Sequence, residues 1–122
     1  MKLTLETSDV NLISAWESDA VRVGEDWLRS HLILSSQHII VDWAVTTPEG
    51  LRAHDLRPAI DLGPDIILLG TGNRLVLPDV QLMAELAAQG IGLEIMDTPA
   101  ACRTYNVLIH ERRDVAAALF IG

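Results

Sequence analysis

Seven residues in two short stretches have the types and spacing that could do chemistry. They are Thr71, Gly72, Asn73, Arg74, Asp97, Thr98 and Arg103. Hydroxyl groups, N–H groups at a helix start and two guanidinium groups can together hold a carboxylate or a phosphate. We therefore predict a small-anion site where the two stretches meet. The alternative is internal: Arg74 and Arg103 pair with Asp97 or bind backbone carbonyl groups.

The glycines of the first stretch, Gly70 and Gly72, also allow two interpretations. A glycine turn after a strand lets N–H groups approach an anion or a nucleotide closely. A dinucleotide fingerprint, however, needs a third glycine where the chain has Leu75, and a phosphate loop needs a Gly-Lys-Ser or Gly-Lys-Thr sequence that it lacks. The alternative is a tight turn leaving a crowded strand, which suits glycine because it adopts positive φ angles.

Cys102, the single cysteine, falls one turn inside a helix predicted to begin at Thr98. A helix dipole favours a thiolate there, which would make the sulfur nucleophilic. The alternative is a packed thiol, because buried cysteine commonly behaves as a small apolar residue. The four histidines lack metal-ligand spacing, and there is no Gly-x-Ser-x-Gly motif. We therefore predict no catalytic residue, no metal and no cofactor.

All three tryptophans lie in the first 43 residues. Trp43 is predicted to be buried. Trp27 shares a strand face with Arg29 and His31, and we predict it as an exposed anchor for a protein partner, because tryptophan is frequent at binding hot spots. Its alternative role is to pack in the core or under a loop.

Short alternating apolar runs between residues 11 and 44 predict an antiparallel meander. One strand is predicted over 27–34, with its leucines towards the core. The next has Ile39, Val41 and Trp43 on one face. This half is therefore predicted to form strands that each have one buried face and one solvent-exposed face.

The spacing of the apolar residues becomes helical after the turn-forming residues at 46–50. A short helix is predicted there, capped by Asp55, with Pro58 in its first turn and its end at Gly63. The run 65–69 is apolar on both faces, which is typical of a strand in a parallel sheet. The second half therefore starts with a helix and a buried strand.

A second helix is predicted from Pro78 to Gly90. Its apolar stripe is predicted to consist of Val80, Met83, Leu86 and Ala87. A strand over 93–96 and a third helix with Thr98 as N-cap follow. The last run, 115–121, fits a helix by its alanines and a buried strand by its length. The predicted class is α/β, with an antiparallel N-terminal meander and a largely parallel C-terminal part.

Composition and charge limit the possible functions of the chain. Its 122 residues predict a single domain over 1–122, and its net charge of −8 disfavours nucleic acid and anionic membranes as partners. The beginning lacks the pattern of an export signal, and the longest apolar run is too short to span a bilayer. We therefore expect a soluble cytoplasmic protein without membrane insertion.

The second half of the chain, residues 65–122, resembles a known family. The matching residues are Leu68-Leu69-Gly70-Thr71-Gly72, Pro78, Gly90-Ile91-Gly92, Glu94, Met96, Thr98, Ala100-Ala101-Cys102-Arg103-Thr104-Tyr105-Asn106, Glu111, Arg113 and Val115-Ala116-Ala117-Ala118-Leu119. They resemble the uncharacterised domain family that includes mitochondrial respiratory complex I assembly factor 3. The stretch Arg103-Thr104-Tyr105-Asn106 is its most specific part.

This resemblance implies a three-layer α/β fold around a mixed sheet, in which residues 115–121 form a strand. Mitochondrial members act in building NADH:ubiquinone oxidoreductase through association with another assembly factor, and this chain looks like a bacterial member. The leading hypothesis is therefore a non-enzymatic binding or assembly module with a protein partner. The alternative is a binding protein or enzyme for a small anionic ligand or metabolite, with its site at the carboxyl ends of the parallel strands.

Overall fold

Eight strands form two sheets in the computed structural model, which describes residues 10–122. They are β1 (Ile13–Glu17), β2 (Ala20–Val23), β3 (Asp26–Leu28), β4 (Leu32–Ser35), β5 (Ile39–Ile40), β6 (Ile66–Thr71), β7 (Gly92–Met96) and β8 (Val115–Phe120). The helices are α1 (Arg57–Ile60), α2 (Gln81–Ala87) and α3 (Thr98–His110), with 3-10 turns at Pro48–Gly50 and Ala53–Leu56. Strands β1, β2 and β3 form one antiparallel sheet, and the other five form a mixed sheet in the order β5-β4-β8-β6-β7.

The centre of the mixed sheet is parallel, as predicted. Strand β6 pairs in parallel with both β7 and β8, while β4 joins β8 in antiparallel register. Helices α2 and α3 make the two crossovers that parallel neighbours require. The run 115–121, which the residues alone left open, is a strand over Val115–Phe120. The predicted α/β class, with a mixed central sheet, is therefore confirmed.

The mixed sheet lies between two apolar cores. Successive residues of β8 alternate between them: Ala116 and Ala118 face the core that includes α2 residues, whereas Ala117 and Leu119 face the core under α3 and the three-stranded sheet. Small alanines in this central strand let the layers on both faces pack closely. The result is three layers. The two ends of each central parallel strand lie at opposite edges of the mixed sheet.

The predicted N-terminal meander is divided between the two sheets. Residues 27–34 belong to two strands rather than one. Between these strands, Ser30 and His31 bind the irregular segment after β5: the Ser30 hydroxyl accepts from Asp42 N–H (2.9 Å) and the His31 carbonyl accepts from Trp43 N–H (2.9 Å). The interpretation that only the leucine side of this stretch faces the core was wrong for β4. Ile33 is fully buried as well, since β4 is covered on both faces.

The predicted common face of Ile39, Val41 and Trp43 was also wrong. Ile39 and Val41 are exposed, and only Trp43 is buried, as predicted. Its indole N–H donates to the Asp55 carbonyl (2.8 Å), so it anchors the segment after β5 to the second 3-10 turn, Ala53–Leu56. Strand β5 is an edge strand of two residues, too short to keep an alternating pattern.

Two helix predictions need correction. Helix α2 begins at Gln81 rather than at Pro78, and it packs through Leu82 and Leu86, leaving Val80 and Met83 exposed. Of the predicted stripe, Leu86 is buried as predicted, whereas Val80, Met83 and Ala87 are exposed, because α2 has apolar residues on more than one face. The N-cap of α3 is Asp97 rather than Thr98: the Asp97 carboxylate accepts from the N–H group of Ala100 (2.9 Å).

Candidate functional site

The two stretches predicted to form a site do meet, at the carboxyl ends of β6, β7 and β8. Thr98 N–H donates to the Gly72 carbonyl (2.8 Å), and Gly72 N–H donates to the Thr98 hydroxyl (2.8 Å). The same hydroxyl donates to the carbonyl of Phe120 (2.7 Å), the last residue of β8. One buried threonine thus ties the end of the central strands to the start of α3.

Gly70 explains why this edge is packed so tightly. A β-carbon there would lie 2.9 Å from Leu119 Cδ2, 2.9 Å from Thr98 Oγ1 and 3.1 Å from Ala101 Cβ. These distances are shorter than van der Waals contact, so glycine allows α3 to approach β6. Gly72 has a φ of 99°, which glycine adopts without strain. Both glycines therefore have the roles expected of a tight turn leaving a crowded strand.

The hydroxyl hydrogens at this edge are already committed to main-chain carbonyls. The Thr71 hydroxyl donates to the Arg74 carbonyl (2.7 Å) and accepts from Val76 N–H (3.0 Å). The Thr98 hydroxyl donates to Phe120, as described above. Because each hydroxyl has only one hydrogen to donate, neither can bind an anion as a donor without losing its internal bond.

The N–H groups at the start of α3 are occupied as well. Thr98 N–H is bound to Gly72, Pro99 has no N–H, and Ala100 N–H is bound to the carboxylate of Asp97. This carboxylate provides the negative charge that favours a helix start. The donors that make helix starts into anion sites are therefore satisfied from within.

Three of the predicted site residues remain outside this internal network: Asn73, Arg74 and Arg103 are exposed. Within residues 10–122 the arginines that form ion pairs are Arg29, with Asp19, and Arg57, with Asp61, so neither Arg74 nor Arg103 pairs with Asp97 there. The Arg103 guanidinium instead lies over the Trp16 ring, 5.9 Å from its centroid. Anion binding at this edge stays a prediction, now reduced to these three side chains.

The stretch from Arg103 to Asn106 contacts the three-stranded sheet. Asn106 accepts from Ile13 N–H through Oδ1 (2.9 Å) and donates to the Ile13 carbonyl through Nδ2 (2.7 Å). The buried Tyr105 hydroxyl donates to the Asn11 carbonyl (2.8 Å). With Arg103 over Trp16, three residues of α3 hold the segment from Asn11 to Trp16. The most specific part of the sequence resemblance therefore joins the two sheets.

Cys102 faces the core under α3, where it is fully buried. Burial raises the pKa of its thiol to about 12, because the charged thiolate loses its hydration, although the neighbouring Arg103 lowers it. The thiol is therefore protonated at neutral pH. This geometry matches the packed alternative rather than a reactive nucleophile.

A second stretch of exposed apolar side chains, not expected from the sequence, lies within residues 75–83, and we call it the 75–83 surface. Four large apolar side chains on it are exposed: Leu75, Leu77, Val80 and Met83. Val80 is 86% exposed, whereas Trp27, the predicted anchor, is 38% exposed. The only charged residue in this stretch is Asp79. The sequence signal that could have revealed this surface is that Leu75 and Leu77 lie in an irregular segment, where no apolar periodicity predicts that they face the core.

Two further properties concern the described part of the chain. Between Val10 and Gly122, no three or more His, Cys, Asp or Glu side chains are grouped so that they could hold a metal ion. No helix over the same residues combines the length and apolar character needed to cross a bilayer.

Similar proteins include both solved structures and curated sequences. A crystal structure from Bordetella parapertussis superimposes with a TM-score of 0.86 at 32% identity, covering 93% of this chain and 97% of that one. The human NADH dehydrogenase (ubiquinone) 1 alpha subcomplex assembly factor 3 is 34% identical over 67% of this chain and 46% of its own length. A "13 kDa major membrane protein" of Francisella tularensis is 29% identical over 72% of both chains.

The coverage of these matches differs. The chain spans about half the length of the assembly factors that it matches, 46% for the human protein and 47% for the one from Danio rerio. A family described as "Protein of unknown function (DUF498/DUF598)" matches residues 13–120. That segment includes both sheets and all three helices. The chain therefore belongs to the DUF498/DUF598 family.

Proposed function

We propose that this domain is a non-enzymatic module that binds a protein partner during assembly of a larger complex, because its human relative is named as an assembly factor. The 75–83 surface is the observation that supports this proposal most strongly. Large exposed apolar side chains in one region are uncommon on a monomer and mark interaction surfaces.

The chemistry of this surface defines the partner that we expect. Leu75, Leu77, Val80 and Met83 offer apolar contacts, and Met83 can adapt its shape because its side chain is unbranched. The whole chain carries a net charge of −8. The partner should therefore present an apolar face bordered by basic residues, which would also accelerate encounter at low salt.

The hydrogen bonding at the Gly72–Thr98 edge supports a role without catalysis. Its hydroxyl and N–H donors hold the main chain, and the thiol of Cys102 is buried. An enzyme in this fold would need a nucleophile or an acid–base pair that reaches a substrate.

Affinity capture from the source cell tests the proposal. A tagged wild-type chain is compared with Val80→Ser and with Val107→Ser, a matched control that is 54% exposed on α3. We expect a reproducible, identified protein to be enriched at least tenfold less by Val80→Ser and unchanged by Val107→Ser. Equal capture by all three chains, or no reproducible partner, would contradict the proposal.

Trp27 is tested in the same experiment, because the sequence analysis proposes it as an anchor. It lies opposite Arg22 in the three-stranded sheet, and it is far in sequence from the 75–83 surface. If Trp27 contacts the same partner, Trp27→Ala reduces capture as well. If only Val80→Ser does so, the partner is bound by the 75–83 surface alone.

A second candidate function is small-anion binding at the Gly72–Thr98 edge. The exposed guanidinium of Arg74, without an ion pair to any residue in 10–122, favours it. Thermal-shift measurements with phosphate, citrate and acetate test it: a ligand at 100 times its dissociation constant adds about 2.7 kcal/mol of stability. A shift lost in Arg74→Ala supports this function, and the absence of any shift excludes these anions.

A further inference from the structure

A cavity of about 300 Å³ lies at the other end of the central strands, away from the Gly72–Thr98 edge. The cavity lies where α3 ends and β8 begins. There the main-chain carbonyl of Asp114, just before β8, accepts from Asp65 N–H (2.9 Å), just before β6. The lining residues are Val10, Leu12, Ser36, Ile109, His110, Arg112, Arg113 and Asp114. Its volume is at the lower limit of small-molecule pockets, roughly 300–1,000 Å³.

The two sides of this cavity differ in polarity. Val10, Leu12 and Ile109 form an apolar wall, and the charged lining residues are Arg112, Arg113 and Asp114. The whole chain has 9 basic residues against 17 acidic ones, whereas the cavity lining has two arginines against one aspartate, so basic side chains are in excess there. Neither arginine is ion-paired to a residue in 10–122.

Arg112 stands in a backbone conformation that usually belongs to glycine. Its φ is +61°. The bonds from Arg112 N–H to Ile109 (2.9 Å) and from Arg113 N–H to Leu108 (3.0 Å) close the end of α3, and the left-handed position in this motif is glycine in most helices. A β-carbon is strained at positive φ. A strained residue that lines a cavity indicates a role for its side chain.

Hydrogen bonds hold the opposite wall in place. Asn11 lies between the two apolar lining residues Val10 and Leu12. Its N–H donates to the Ser36 carbonyl (2.9 Å), its amide to the Ser35 carbonyl (3.0 Å), and its carbonyl accepts from the Tyr105 hydroxyl (2.8 Å). The cavity is therefore formed in advance of any ligand, which reduces the ordering cost of binding.

We propose that this cavity binds a small amphipathic anion, with its apolar chain along Val10, Leu12 and Ile109 and its carboxylate or phosphate group at Arg112 and Arg113. Guanidinium groups bind both anions through two parallel hydrogen bonds. This site is independent of the proposed protein-binding function, because it involves none of the residues of the 75–83 surface.

Titration calorimetry of the full chain tests the proposal with four probes that share one chain length. Octanoate and octyl phosphate carry the anionic group, octanol carries none, and octylamine carries the opposite charge. We expect saturable one-to-one binding of at least one anionic probe, at least tenfold tighter than binding of octanol or octylamine. The stronger of the two anions identifies the head group as a carboxylate or a phosphate.

Variants separate this site from general charge effects. Arg112→Ala and Arg113→Ala should each weaken binding about tenfold or more, because each removes a charge-assisted hydrogen bond. Arg57→Ala removes the same charge from an exposed position on α1 that lines neither candidate site, and it should bind as the wild type does. Arg112→Gly relieves the strain, so it should melt at the same or a higher Tm while losing affinity.

Three results would overturn the proposal. They are no saturable binding of either anionic probe, equal binding of octanol, and unchanged affinity in both Arg112→Ala and Arg113→Ala. Because Arg112→Gly is expected to fold at least as well as the wild type, loss of binding in that variant cannot be attributed to unfolding. Partner capture by Arg112→Gly should remain at the wild-type level, which distinguishes this site from the proposed function.

Discussion

Asn106 and Ile13 exchange two hydrogen bonds, 2.9 Å from Ile13 N–H to the Asn106 amide oxygen and 2.7 Å from the Asn106 amide nitrogen to the Ile13 carbonyl. The amide side chain thus occupies the place of a neighbouring strand at the start of β1. This pair joins α3 to the three-stranded sheet, and it assigns a structural role to the stretch that most closely resembles the family.

Replacing Asn106 should therefore weaken the whole domain. In Asn106→Asp the side chain keeps its acceptor but cannot donate to the Ile13 carbonyl when ionised, so we expect a loss of about 1–3 kcal/mol in the free energy of unfolding. Urea unfolding followed by circular dichroism measures it. The control Asn73→Asp changes an exposed loop amide and should stay within about 0.5 kcal/mol. Equal midpoints for both variants would contradict the assigned role.

Gly70 should not tolerate even a methyl group. The added β-carbon of Gly70→Ala would press on Leu119 and Thr98 at 2.9 Å, which should cost about 1–3 kcal/mol through overpacking. Gly50→Ala is the matched control, because its β-carbon would meet only Thr47 Oγ1, at 3.9 Å. If the two variants have the same Tm, α3 does not approach β6 as closely as described.

His31 should make stability depend on pH. Burial lowers the pKa of its ring below the ordinary value of 6.5, and its Nδ1 accepts from Ile121 N–H (3.0 Å), which requires an unprotonated nitrogen. The unfolded state therefore binds more protons near pH 6, so His31 contributes its full stability above 6.5 and loses it as the pH falls from there towards the lower pKa.

Urea midpoints at pH 7.5 and 5.5 test this dependence. His31→Asn keeps an acceptor for Ile121 but cannot be protonated, so its midpoint should fall less on acidification than that of the wild type. His38→Asn, in an exposed turn, should behave as the wild type does. An identical decrease in all three proteins would assign the pH dependence to other groups.

Cys102 should be inert in the folded protein. Its pKa of about 12 and full burial predict that iodoacetamide labels the native chain at pH 7.5 at least a hundredfold more slowly than the urea-unfolded chain. Mass spectrometry over time measures both rates. Similar rates for the native and unfolded chains would restore the hypothesis of a nucleophilic thiolate at Cys102.

The sequence predicted the parallel centre of the fold because β6 is apolar on both faces, a pattern that few other environments allow. It identified the buried Leu86 of α2 but chose Val80 and Met83 over Leu82, because all of them are apolar and periodicity could not decide which ones pack. Gly72 and Thr98 of the candidate site do meet, but their hydrogen bonds to internal partners depend on atomic distances that the sequence does not contain. The Asn106–Ile13 pair spans 93 residues, beyond the reach of local patterns.

The affinity of the purified partner for this chain tests the central claim most directly. With the captured protein in hand, the dissociation constant is measured for the wild type, Val80→Ser and Val107→Ser at one salt concentration. We predict at least a tenfold weaker complex for Val80→Ser and an unchanged one for Val107→Ser. Equal affinities for all three chains would contradict binding through the 75–83 surface.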